Sequence, residues 1–388
     1  MKRSRDGFEP SIVEVQKFRR VCIHSNILSF IRSNPYGPRT RSFCCFPNEE
    51  ITLLPEDVSS IPIAFKLLRV LAVKSVVFTR FPLDLTRLIH LKYLALSSTF
   101  KVLPAILTKL WNLQTLIIHT TSRDLEVKAY IWHMIQLRYL KTNASITLVV
   151  EPRRGREGEK LQTIYNLSPE NCTENFFARA RNLKELGIRG RLALLLDSQG
   201  SRSSPFDLLS RMGYLQSLKL LNDVYRSPPA EGRLTCLPPP YKFPPRLRSL
   251  TLSFTYLEWR YMSVLGLLEN LNVLKLKENA FVGTRWETAD GGFRSLEFLQ
   301  IEQTDLVNWV ASAHHFPRLR GLVLRNCEEL VEVPFGLADI ESLQVMDLYR
   351  TSKSAANSAK KIVQAKHMAE ARESIAHWFK LSIFPPDL

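Results

Sequence analysis

"LIHLKYLALSS", residues 88–98, sets leucines at 88, 91, 94 and 96, and "LWNLQTLIIHT", residues 110–120, repeats the spacing 22 residues later with Leu110, Leu113, Leu116 and Ile118. The shared phrase is an apolar residue, two free positions, a second apolar residue, one free position and a third. Taking the first of the three as an anchor, the phrase recurs at Phe18, Thr40, Leu68, Leu91, Leu113, Leu137, Leu161, Leu183, Leu215, Leu247, Leu271, Leu296, Leu319 and Leu343. Successive anchors are mostly 22 to 25 residues apart, the exceptions being 28 from Thr40 to Leu68 and 32 on either side of Leu215. This phrase at a period of about 20–29 residues is the signature of a leucine-rich repeat. The expected fold is an α/β repeat: a leucine-rich-repeat solenoid, or horseshoe, with a parallel β-sheet on the concave face, an irregular or short-helical convex side and a C-terminal capping helix.

In Leu94-Ala95-Leu96 the leucines lie two apart, so both face one side of an extended strand while Ala95 and Ser97 face the other. Burying one leucine is worth roughly 1.5–3 kcal/mol, too little to offset the ordering of a whole repeat. Stacked repeats share one core. Short polar residues three places beyond the last apolar position, Thr99, Thr121, Thr255, Asn279, Thr304, Cys327 and Thr351, are expected to bond backbone groups where the chain leaves each strand. Pro82, Pro104 and Pro334 stand nine residues before an anchor, suited to an outer turn because proline lacks an amide donor and fixes its own φ.

The repeat boundaries divide the chain into a basic N-terminal tail over 1–14, the solenoid over 15–350, and a C-terminal helix and cap over 351–388. The helix is predicted over 353–378, where helix formers run without proline or glycine. Loops are expected near 151–160, 190–207 and 222–246, where "EPRRGREGEK", "DSQGSRSSP" and "RSPPAEGRLTCLPPPYKFPP" interrupt the phase.

Hydrophobic residues at 45% and charged residues at 23% describe a folded chain. No run of about 18 apolar residues is present, and "MKRSRDGFEPSIVEVQ" leads into no apolar core with a cleavage site, so the expected compartment is cytoplasmic, with peripheral membrane association left open. Six cysteines, at 22, 44, 45, 172, 236 and 327, show no zinc spacing and read as reduced thiols. The glycosylation-type triplets at Asn143, Asn166 and Asn171 read as chance matches. A net charge of +16 suits polyanions as well as acidic protein surfaces. The basic residues are spread over the repeats without the aromatic interleaving of an RNA-binding sheet, so nucleic acid is not the expected partner.

Chemistry-bearing motifs are not found. None of the 15 glycines precedes a lysine, so no phosphate-cradling loop is evident, and "GREGEK" at 155–160 reads as a solvated charge run. There is no GxSxG elbow and no HExxH helix. His314 and His315 are adjacent, but a metal site needs further ligands that the sequence does not place, and the pair reads as part of a loop. Cys22 and Cys44 both occupy the exposed position between apolar residues of neighbouring strands, which places them side by side as quiet thiols or as a regulated disulfide. The expectation is a binding protein without catalytic, cofactor or metal residues, not an enzyme. Its predicted concave protein-binding face displays Ala95, Ser97, Ile117, His119, Lys141, Asn143, Gly187, Arg189, Lys219, Lys275, Lys277, Gln300, Glu302, Val323, Arg325, Asp347 and Tyr349.

"VQKFRRVCIHSN" at 15–26, "FKLLRVLAV" at 65–73, "LIHLKYLAL" at 88–96, "LPAILTKLWNLQTLII" at 103–118, "ARNLKELGIRG" at 180–190 and "FPRLRGLVLRNCEEL" at 316–330 carry a resemblance. Together they are similar to the repeat region of plant intracellular immune receptors of the coiled-coil NLR class, of the late-blight-resistance type found in nightshades. The resemblance covers about 15–388. It implies a role in defence, in which the repeats sense a pathogen effector or guarded host protein and hold an adjoining nucleotide-binding domain in its ADP-bound resting state. The chain departs from the full pattern: it has no coiled-coil domain, no phosphate-binding loop and no Met-His-Asp signature, so nucleotide binding is carried over to no residue and ADP or ATP is expected only in the missing domain. The implied partners are a nucleotide-binding domain of the same or a related receptor and an effector or host target. Whether the chain is a cut-out of a longer receptor or a truncated product stays open, as does the alternative of a free-standing scaffold or substrate adaptor.

Overall fold

The computed structural model describes the chain apart from residues 1, 5–6, 10–11, 47–50, 54, 150–157, 197–203, 224–233, 374–378 and 386–388. It divides into two compact units, Met1–Arg189 and Gly190–Leu388. Both are built as leucine-rich repeats, the class the spacing predicts.

In the first unit, strands Arg20–Ile23, Ser42–Cys45, Val70–Phe78, Tyr93–Ser98, Thr115–Thr120, Tyr139–Thr142, Thr163–Leu167 and Glu185–Gly190 each run parallel to the next. The register sets Leu71, Leu94, Leu116, Leu140, Ile164 and Leu186 side by side. All six are fully buried, so one apolar rung per repeat builds a continuous core. Facing them are 3₁₀ helices such as Leu83–Arg87 and Ala105–Lys109, where Leu85 with Leu88 and Leu107 with Leu110 complete the core. Three residues per turn puts i and i+3 on one side, which explains that spacing. The prolines open these helices: Leu85 N donates to Pro82 O at 3.0 Å and Leu107 N to Pro104 O at 3.1 Å. Residues 2–4 and 7–9, within the stretch read as a basic tail, pair as a short antiparallel hairpin.

The second unit repeats the plan with strands Ser217–Asn222, Ser249–Ser253, Val273–Lys277, Phe298–Glu302, Gly321–Arg325, Val345–Tyr349 and Lys380–Phe384. The last strand is a finding, because "LSIF" reads as a tail. The C-terminal helix is present over Lys353–Glu373, its predicted continuation to 378 lies outside the described residues, and the chain then returns to pair with Val345–Tyr349. Behind the strands, Trp259, Trp286 and Trp309 stack with centroids 5.1 and 4.9 Å apart. Trp286 and Trp309 lie opposite each other in a short parallel pair, Arg285–Glu287 with Asn308–Val310.

The expected polar ladder holds in part. Thr255 Oγ1 donates to Ala280 O at 2.6 Å and Cys327 Sγ to Ile301 O at 3.7 Å, whereas the Thr351 hydroxyl is buried without a partner among the described residues. Thr99 and Thr121 are exposed, and in the first unit the buried polar residues near the strand ends include Ser98, Thr120 and Thr142, at earlier places in the repeat. Of the three expected loops, 151–157, 197–203 and 224–233 lie outside the described residues, and the flanks include 3₁₀ helices at Pro205–Arg211 and Pro240–Lys242.

Candidate functional site

Alternation along each strand leaves a row of side chains on the face opposite the leucines, and the register aligns them across repeats. In the first unit the row runs Cys22, Cys44, Ala72, Ala95, Ile117 and Lys141. Two places further along stand Ser97 and His119, which are also paired in register. Lys141 is the centre of a cluster: its Nζ lies 4.7 Å from the centroid of the Tyr165 ring and 5.8 Å from that of Tyr139. The Tyr165 hydroxyl donates to the Glu185 carboxylate, and burial together with that carboxylate pushes the phenol well above its usual range. Exposed His119 has its imidazole pKa lowered by burial and by the charge of Lys74.

Several of the expected display residues are corrected by their surroundings. Ala95 is fully buried between Ala72 and Ile117, and Ser97 is buried with its hydroxyl donating to Lys74 O. Gly187 is covered by Tyr165: a Cβ there would lie 3.0 Å from Asn166 N and 3.3 Å from Tyr165 Cδ1. Asn143 is exposed, but its amide is occupied, donating to Thr120 O at 2.7 Å and accepting from Thr120 N at 2.8 Å. The Arg189 guanidinium donates to Asn143 O. Ile117 is half-buried.

In the second unit Lys219 and Arg325 are exposed and Asp347 is half-buried. Lys275 lies 5.7 Å over the Phe298 ring, for which Gly321 makes room; a Cβ there would come within 2.9 Å of Phe298 Cδ2. Lys277 pairs with Glu302 at 3.4 Å, and Gln300, buried against expectation, donates to the same carboxylate at 2.9 Å. Val323 is buried within the row as well. Tyr349 is exposed and stacks on Phe384 of the last strand, with centroids 5.0 Å apart and planes 8° from parallel.

Residues overlooked from the sequence are chiefly aromatic: Tyr139, Tyr165, Phe298 and Phe384. For Tyr139 and Phe298 the signal is the same period of two, since they stand two before Lys141 and Gln300 and point the same way. Tyr165 takes the displayed place beside Gly187, and Phe384 lies opposite Tyr349. A second overlooked column holds Ile89, Trp111 and Ile135, each two residues before an anchor and 40–51% exposed. Asn112 donates to Ile89 O at 2.8 Å and fixes that corner, and Lys66, Arg87 and His90 line a surface hollow together with Ile89.

The His314–His315 pair does find a third group one repeat away. Asp290 Oδ1 lies 2.8 Å from His314 Nε2 and 2.9 Å from His315 Nε2. The Ser312 amide donates to His315 Nδ1 at 2.9 Å, so neutral His315 carries its proton on Nε2 and gives it to Asp290. That nitrogen then has no lone pair for a metal ion. Ser312 and His315 form a capping box on the 3₁₀ helix Ala313–His315, Asp290 ties that helix to the preceding repeat, and the hydrogen bonds from His314 and then His315 hold Asp290 below the usual carboxylate pKa. Among the described residues no helix is long and apolar enough to cross a membrane.

The family model of a leucine-rich repeat region matches residues 39–377. The chain is 31% identical over 327 residues to one late blight resistance protein homolog of Solanum demissum, covering 80% of this chain and 24% of that protein. A second late blight resistance homolog of the same plant is 29% identical over 359 residues, 87% of this chain and 25% of that protein. The chain thus spans about a quarter of the length of these relatives. Among solved structures, the functional domain of InlJ from Listeria monocytogenes aligns with a TM-score of 0.47 at 13% identity, over 87% of this chain and 74% of that one.

Proposed function

The chain belongs to the leucine-rich repeat region family, and from that membership we propose that it is the protein-binding module of a plant disease-resistance protein of the NLR class. Its displayed face receives a pathogen effector or a guarded host protein, and the module restrains a nucleotide-binding switch domain in the cytoplasm. The observation that carries this reading is the cluster of Lys141, Tyr139 and Tyr165 raised on a fully buried leucine ladder. Aromatic and cationic side chains on a rigid support are what protein interfaces use for most of their binding energy. The likeness to the late blight resistance homologs supplies the biological setting.

Restraint of the switch domain is assigned to the column of Ile89, Trp111 and Ile135, whose apolar side chains with a basic border suit an acidic protein surface. The test supplies the chain and, in trans, the nucleotide-binding domain of a late blight resistance homolog. The two are expected to associate, with Trp111→Glu weakening the complex at least tenfold and Lys141→Ala leaving it unchanged. No association, with the chain folded, would favour the free-standing scaffold or substrate adaptor instead.

A further inference from the structure

We infer that Cys22 and Cys44 form a thiol–disulfide site on the displayed face of the first unit, oxidised by a small disulfide of the glutathione class. Strands Arg20–Ile23 and Ser42–Cys45 run parallel, and their register sets Cys22 directly opposite Cys44. Neighbouring strands lie about 4.7–4.9 Å apart, inside the roughly 4.4–6.8 Å Cα separation that a disulfide spans. Val21 and Ile23 are buried, so the cysteine between them faces outward; Cys22 is exposed and Cys44 partly so, and the two thiols are hydrogen-bonded to each other. Cys45 is buried on the opposite side of its strand and does not compete.

Exposure makes Cys22 the entry point. Its thiolate displaces one thiolate from the small disulfide and leaves a mixed disulfide on Cys22. The Cys44 thiolate then attacks Cys22 Sγ, forming the Cys22–Cys44 bond and releasing the second small thiolate, and the protons lost by the two cysteines end on the two released thiols. Two protein thiols are thereby oxidised while one small disulfide is reduced to two thiols. Burial, and then the neighbouring Cys22, raise the Cys44 pKa, consistent with Cys44 acting second. The bond lies on the solvent-facing side of the ladder, where reductant reaches it, so it responds to the ratio of reduced to oxidised glutathione. Oxidation ties two neighbouring repeats across the displayed face.

The test equilibrates the reduced 388-residue chain without oxygen in glutathione buffers of increasing oxidation, blocks free thiols and weighs the proteolytic peptides. The expected product is one cross-link, between the Cys22 and Cys44 peptides, reversed by dithiothreitol. With Cys44→Ser a glutathione adduct stays on Cys22 and no cross-link forms. A mixed disulfide that persists on Cys22 in the unsubstituted chain, or a cross-link that survives Cys44→Ser through Cys45, overturns the assignment. Phenylarsine oxide, which bridges adjacent thiols without oxidising them, reads the geometry independently: one equivalent is expected on the unsubstituted chain and none on Cys22→Ser or Cys44→Ser. Equal uptake by all three overturns it too.

Discussion

Asp207 shows how a single side chain reports its surroundings. It accepts from Lys242 Nζ at 2.8 Å and from Ser204 Oγ at 3.0 Å, and although burial pushes its carboxyl up, Lys242 and Ser204 outweigh that and hold the pKa below the usual carboxylate range. A group whose folded pKa is lowered stabilises above its unfolded value, about 3.9 for aspartate, and that contribution is lost as pH falls through the folded pKa. Asp207→Asn is therefore expected to lower the denaturation midpoint at neutral pH and to converge with the parent chain in strong acid. A gap that stays constant with pH would contradict this. Gln303 makes the equivalent point for the backbone. It sits just past its strand at φ 54°, as Phe254, Glu278, Asn326 and Arg350 do past theirs, and its amide donates to Arg325 O at 2.8 Å. Gln303→Gly is expected to be neutral or stabilising by up to about 1 kcal/mol, because the left-handed region costs roughly 1–2 kcal/mol for residues with a Cβ. Gln303→Val is expected to be destabilising in the same urea titration. Of these five positions only Asn326 gives a sign of its conformation in the sequence, because asparagine, unlike the other four residues, tolerates the left-handed region.

At the level of elements, the leucine phrase is strong enough to locate most displayed-sheet strands, because each rung must be apolar to join the shared core. Leu94 and Leu116 are examples, opposite each other in register and fully buried. The strand Lys380–Phe384 escapes because a 21-residue helix separates it from the preceding strand and destroys the period. Alternation also gives direction but not height. Ala95, Gly187, Gln300 and Val323 do occupy the outward row, yet they are short or lie among larger neighbours and end up buried. Tyr139 and Tyr165 rise above that row and define the candidate site. Behind the strands, the stack of Trp259, Trp286 and Trp309 is invisible to a leucine pattern, because it depends on side chains one repeat apart meeting in a short second ladder. Trp286→Ala removes its middle member, which is 1% exposed. The expected cost is about 3–5 kcal/mol, with loss of most near-ultraviolet circular dichroism from the stack. A cost below about 1 kcal/mol would show that the stack does not hold these repeats together.

For the molecule as a whole, one strand type joins two properties: an inward residue that carries stability and an outward residue that is free to meet a partner. The two faces support the proposed binding role, because a ladder held rigidly from behind presents its outward side chains without further ordering cost. The most direct test uses adjacent residues in the strand Tyr139–Thr142. Leu140 is fully buried, whereas Lys141 rests over Tyr165 on the open side. Chemical denaturation of Leu140→Ala is expected to show a loss of about 2–5 kcal/mol, and that of Lys141→Ala a change below about 1 kcal/mol. Equal losses at the two positions, or a larger one at Lys141, would contradict the division into a buried and a displayed face.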